Sequence, residues 1–253
     1  MDWSGRGLTV RSNEATSNEG RTLAEGTDLS WQPLYRLGGL AAFVYVVLVI
    51  IPVILVFAAP LPPAEGRALL EYIAVHRVVY LVELVCFVGL GVPALVVFAA
   101  LAVALARADK NVAVVGGLFG ISSEVIALAV GSSPQSLHGG LVVLSDAFAT
   151  ATGDAERTEL AGAADALIAT ANAMPWAGVL TAAGILVLSL AMRRWSVGRR
   201  FAVVGIVIGA VGVVSETFRP LLGSLYLVYG LLLPVWFAWV GVKLLRIGRV
   251  RVS

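Results

Sequence analysis

The chain has 253 residues, of which 59% are hydrophobic and only 13% charged, and its mean hydropathy is +0.92. Soluble domains carry about 25% charged residues, so this chain lacks the polar groups to cover its own core in water. A soluble enzyme, a nucleic-acid reader and a disordered protein are excluded, and a net charge of +2 is too small to imply a polyanionic partner. The single cysteine, Cys86, excludes an internal disulfide and a CxxC metal site. Only Lys110 and Lys243 are lysines among the 18 basic residues, and Ala, Val and Gly abound. This usage points to a GC-rich bacterial source.

A membrane-crossing helix needs about 20 mostly apolar residues. In chain order, five runs qualify: Leu37 to Ala59, Leu81 to Ala106, Val112 to Gly131, Trp176 to Met192, and Phe201 to Val214. The fifth extends to about Phe218, which carries Glu216 into the membrane. A sixth, Leu221 to Val242, follows a break at Arg219 and Pro220. If the second helix begins near Glu71, it is roughly 50 Å long at 1.5 Å per residue. Such a helix projects or tilts, and Pro93 should kink it.

Most basic residues flank one end of these runs: Arg6, Arg11, Arg21, Arg36, Arg107, Lys110, Arg193, Arg194, Arg199, Arg200, Lys243, Arg246, Arg249 and Arg251. Only Arg67, Arg77, Arg157 and Arg219 fall at the other. The positive-inside rule then places both termini in the cytoplasm, with six spans in a bacterial inner membrane. Residues 1–33 read as a disordered cytoplasmic tail, 34–247 as the membrane domain, and 248–253 as a basic cytoplasmic tail. Nothing at Met1 resembles a signal peptide.

The outer loop, 132–175, is the one long connection. It holds Asp146, Asp154, Glu156, Glu159 and Asp165 against Arg157 alone. Leu141 to Ala149 is too short to span, and Leu160, Ala164, Leu167, Ile168 and Ala171 fall at helical spacing. Two short helices are expected, either capping the bundle at its outer face or forming a half-inserted hairpin.

Spans three and five share a pattern. Each carries Ala-Val-Val-Gly-x-x-x-Gly near its inner end, through Gly116 and Gly120 or Gly205 and Gly209, and Ser-Glu near its outer end. Small-xxx-small faces let helices approach closely, and the likeness fits either a duplicated helix pair or chance in a chain so rich in Ala, Val and Gly. At about 100° per residue, Glu216 lies roughly 20° from the Gly205 direction and Glu124 about 80° from that of Gly116. Both glutamates should point toward the glycine side rather than toward lipid.

Acidic side chains at membrane depth usually face the bundle interior and have a partner. Helix directions put Glu83, Glu124 and Glu216 in one outer layer, near Ser122, Ser123, Ser215, Tyr226 and Tyr229. His76, Tyr80 and Glu83 share a face of helix two, and Glu216 and Arg219 are i, i+3 neighbours able to pair. The expected ligand-binding set is Glu83, Glu124, Glu216, His76, Tyr80 and Arg219, forming an outward-opening pocket for a small molecule, a cation or a lipid. The competing expectation is that each glutamate ties helices together, with the protein a structural or regulatory subunit. Its Gly116, Gly120, Gly205 and Gly209 faces would then pack on a second copy or a partner membrane subunit. Besides the bilayer, no other partner is implied.

His76 and His138 form no i, i+4 ligand pair, so neither a metal nor a haem is expected. No Gly-x-Ser-Gly nucleophile, catalytic triad or phosphate-cradling loop is present, so no cofactor and no catalytic residue is assigned. Trp176 and Trp195 read as interfacial anchors, and Trp236 and Trp239 as packing or lipid-facing residues.

Three stretches resemble a bacterial integral-membrane family described only as a domain of unknown function, family 4386. They are Arg36-Leu-Gly-Gly-Leu-Ala-Ala, Phe201-Ala-Val-Val-Gly-Ile-Val after a basic loop, and Leu233-Pro-Val-Trp-Phe-Ala-Trp-Val-Gly-Val-Lys. The resemblance covers about residues 34–247 and implies six helices, with no activity attached. Where that family tends to carry an acidic residue shortly before the final tryptophan, this chain has Leu-Leu-Leu-Pro-Val-Trp. The expected architecture is therefore all-α: a polytopic six-transmembrane-helix bundle with short outer-face helices between spans three and four.

Overall fold

A computed structural model describes residues 28–131, 137–172, 176–194, 199–222 and 226–249. The expected terminal tails (nearly all of 1–33, and 250–253), the start of the long loop and Trp195 lie outside the described residues. Within them every regular element is helical: a 3-10 turn (Leu29–Trp31), so that the expected disordered tail is structured from Asp28, then α1 (Gln32–Leu55), α2 (Gly66–Val75), α3 (Arg77–Gly89), α4 (Gly91–Leu105), α5 (Lys110–Val130), α6 (Gly139–Thr150), α7 (Asp154–Asn172), α8 (Trp176–Met192), α9 (Arg199–Thr217), α10 (Arg219–Leu222) and α11 (Tyr226–Gly248).

Local chemistry sets many of these limits. Asp109 caps α5 by accepting from the Val112 amide at 3.2 Å, satisfying an amide that the first helical turn leaves free. Gly131 ends α5 with φ of 63°, a left-handed conformation that glycine adopts without a Cβ clash. His138 caps α6, its Nδ1 accepting from the Gly140 amide at 2.9 Å.

Six helical stretches are long and apolar enough to cross a membrane: Leu29–Leu55, Arg77–Leu105, Lys110–Val130, Asp154–Met192 (interrupted by undescribed residues 173–175), Arg199–Thr217 and Val228–Gly248. The single long second helix is not found. The chain bends at His76, between α2 and α3, so the part from Glu71 belongs to a separate helix. A second break falls at Leu90, between α3 and α4. Pro93 has no N–H for the Gly89 carbonyl, and its ring crowds that oxygen, so the break sits within one turn of the proline. Helix α10 starts at Arg219 and α11 is described from Tyr226, with residues 223–225 outside the described residues.

The long helices form a ring in chain order. α1 packs on α4, α4 on α5, α5 on α8, α8 on α9 and α9 on α11, and α11 closes back on α1. Phe98, Trp236 and Phe237 fill the middle, each fully buried. Tyr45 stacks on Phe237 with ring centroids 3.7 Å apart. On the outside, Leu37, Leu40, Val44, Val47 and Ile54 of α1 are all at least half exposed. An apolar outer skin over a packed interior is the pattern of a bundle whose solvent is hydrocarbon.

A second, smaller core joins α2, α6 and α7 at one end of the ring, centred on Leu69, Leu70, Ile73, Leu137, Leu141 and Ile168. Its polar ties are specific. Asp165 of α7 accepts from the Gly66 amide at the start of α2 (2.6 Å), and Ser145 donates to the Leu70 carbonyl (2.8 Å). Phe148 lies beneath the guanidinium groups of Arg67 and Arg157, 5.8 and 5.6 Å from its ring centre. Arg77 at the start of α3 pairs with Asp146 of α6 through both carboxylate oxygens. That guanidinium holds the Asp146 carboxyl below the usual aspartate range. Two of the loop acids are thus structural ties of this cap.

The four pattern glycines serve contacts within the chain. α5 and α9 both press on α8. A Cβ on Gly116 would meet Leu188, one on Gly120 would enter the Phe98 ring, and one on Gly205 would strike Ser189. One on Gly209 would lie 2.6 Å from the backbone nitrogen of Leu186. All four are buried. The expected glycine faces for a partner subunit are therefore occupied by the chain's own helices, because these positions are where α8 approaches its two neighbours.

Candidate functional site

Span three brings Ser123 and Glu124, and span five Glu216, against the start of α8. From α5, the Ser123 hydroxyl donates to the Ala177 carbonyl and sits in hydrogen-bond contact with the Thr181 hydroxyl. Thr181 in turn donates to Glu124 Oε1 at 3.2 Å. From α9, the Glu216 carboxylate lies over Gly178, where a Cβ would collide with it. Its Oε2 pairs with Arg219 Nη2, and its Oε1 accepts from the Tyr226 hydroxyl at 2.8 Å. The Arg219 guanidinium stands 5.2 Å from the centre of the Tyr226 ring, a cation–π contact.

The two glutamates are equally hidden, 8% and 3% exposed, yet differently provided for. Glu216 has a cation and a phenol. Glu124 has a hydroxyl, and no ion pair to it forms among the described residues. A cavity of about 290 Å³ separates them, inside the ring at the cap end. Tyr45 and Val49 of α1 line it, with Phe87, Leu90 and Gly91 at the α3–α4 break, Ile126, Ala127 and Val130 of α5, and Tyr229 and Leu233 of α11.

Of the expected ligand set, Glu124, Glu216 and Arg219 line this cavity, and Glu83, His76 and Tyr80 do not. The Glu216–Arg219 pair is found. Glu83 is buried one turn before Phe87, and one of its carboxylate oxygens has no hydrogen-bond partner. Its charge is felt instead by Tyr72 of α2, whose phenol is pushed up by burial first and by Glu83 second. Tyr80 exchanges hydrogen bonds with the backbone of His138, accepting from its amide at 3.1 Å. His76 sits at the bend, its ring 4.8 Å from that of Tyr72. Position along a helix does not fix the direction around its axis. The bend at His76 sets α2 apart from α3, which unbroken helix geometry does not predict.

Ser122 is exposed, whereas Ser123 and Ser215 are buried. Sequence reasoning missed Tyr45, Gly178 and Thr181. The last two carried a faint signal, since they fall at i, i+3 spacing on one face of a mostly apolar span. Among the described residues, no three His, Cys, Asp or Glu side chains gather as a metal centre requires. His138 uses its Nδ1 as a helix cap.

Fold and site together define an all-helical protein with six helices long and apolar enough to cross a membrane, and a charged chamber between them. No family model, no curated protein and no solved structure matches the chain.

Proposed function

We propose that the chain is a six-span protein of a bacterial inner membrane, with both termini cytoplasmic and the α2–α6–α7 cap on the outer face. In this reading it binds or carries a small molecule, a cation or a lipid headgroup through the cavity between Glu124 and Glu216. The observation that carries it is a 290 Å³ chamber lined by two buried acids, only one of them paired with the guanidinium that shares the wall. Charged groups inside a hydrocarbon-clad bundle are costly and generally mark a binding site or pathway. A purely structural role accounts for Glu216, which is fully paired, but not for Glu124 or for the empty volume beside it.

Ala127 lies one turn beyond Glu124 and lines the chamber. In a Cys86→Ala background, Ala127→Cys on intact cells should react with membrane-impermeant thiol reagents added outside. Absence of labelling in folded protein, with labelling restored by denaturation, would mean a sealed bundle and end this reading. Glu124→Gln should insert and fold normally while changing ligand or proton coupling.

A further inference from the structure

We infer that the cavity takes a small organic ammonium ion, with Glu124 as its counter-charge; this rests on the binding reading above and names its ligand class. The charge balance comes first. Arg219 pairs with Glu216 through one Nη, leaving its Nε without a partner among the described residues, so the lining's second acid, Glu124, has no cation of its own there and is met by a neutral hydroxyl. An uncompensated carboxylate away from water is costly, and a cation brought by a ligand offsets that cost. An anionic ligand would add to the imbalance.

The second observation is independent of the acids. Tyr229 lines the same cavity, is 2% exposed, and its buried hydroxyl has no hydrogen-bond partner among the described residues. A ligand N–H donor would use the acceptor capacity that Thr181 leaves free on Glu124. Tyr45 and Phe87 add aromatic wall, and the site already holds one cation against a tyrosine ring, Arg219 over Tyr226. Carboxylate plus aromatic rings is the environment that suits an ammonium group.

An inorganic cation is a poorer fit. It needs six or so oxygen ligands to replace its hydration shell, whereas Val49, Leu90 and Val130 make much of the wall aliphatic. An apolar body attached to the charge suits that wall. The volume, 290 Å³, equals about ten water volumes, enough for a compact amine and too little for a two-chain lipid.

The test uses the full-length Ala127→Cys, Cys86→Ala protein in lipid nanodiscs. Two thiol reagents of similar size are compared, trimethylammonium-ethyl and sulfonatoethyl methanethiosulfonate, each normalised to its rate with free cysteine. The cationic reagent should label about tenfold faster or more, the scale of a nearby unscreened charge. Glu124→Gln should bring the ratio close to parity, and Glu124→Asp should keep it. Added 2-phenylethylammonium should protect the thiol, and 2-phenylethanol should not. Equal rates for both reagents, or equal protection by the alcohol, would overturn the ammonium assignment and leave the accessible cavity standing. Labelling by neither reagent would remove the cavity reading and this inference together.

Discussion

Gly178 has no side chain, and the Glu216 carboxylate occupies the space a Cβ would take. Gly178→Ala should therefore push that carboxylate off Arg219 and Tyr226, lowering stability by about 1–3 kcal/mol, as overpacking typically does. A thermal-unfolding series in detergent would measure it. Glu83 predicts the opposite sign. It is 5% exposed, with one oxygen unpaired. Glu83→Met, of similar shape and no charge, should raise stability by roughly 1 kcal/mol. A fall in melting temperature would mean that the carboxylate has a partner worth keeping. Of these two acids, only Glu216 had a readable role in the sequence, because its cation lies three residues away along the chain.

Among elements, α8 depends most on absent atoms. Gly209→Ala would put a methyl group 2.6 Å from the Leu186 backbone nitrogen, which cannot rotate away as a side chain can. The expected loss is about 1–3 kcal/mol, read as a drop in unfolding midpoint. Gly162 of α7 is the control: it is exposed in mid-helix, with nothing within 4 Å of a new Cβ. Gly162→Ala should stabilise by roughly 0.5–1 kcal/mol through helix propensity alone. The repeated small-residue pattern announced close helix approach. It did not say which helix approaches, since α8 carries no copy of the pattern and only the packed ring brings it between α5 and α9.

Across the whole molecule, the cap is held to the ring partly by Arg77 and Asp146. Asp146 lies below its ordinary value of 3.8 when folded. A depressed carboxyl contributes its stability above the unfolded value and loses it as pH falls through the folded one. Cap protection in hydrogen exchange should thus stay level from about pH 5 to 8 and weaken only in strong acid, below 3.8. Both residues are about half exposed, so salt should blunt the effect.

The number of long apolar helices, and the end at which arginines gather, follow from composition summed along short windows, and no packing is needed to read them. The same holds for the Glu216–Arg219 pair, one helical turn long. The meeting of Glu124 with Thr181, the exclusion of Glu83, and the chamber lined by Tyr45 and Tyr229 arise otherwise. They depend on how each helix is rotated, on the bend at His76, and on contacts between residues more than fifty positions apart. A linear chain records the depth of a side chain well and its compass direction poorly, because direction is set by whatever the helix packs against.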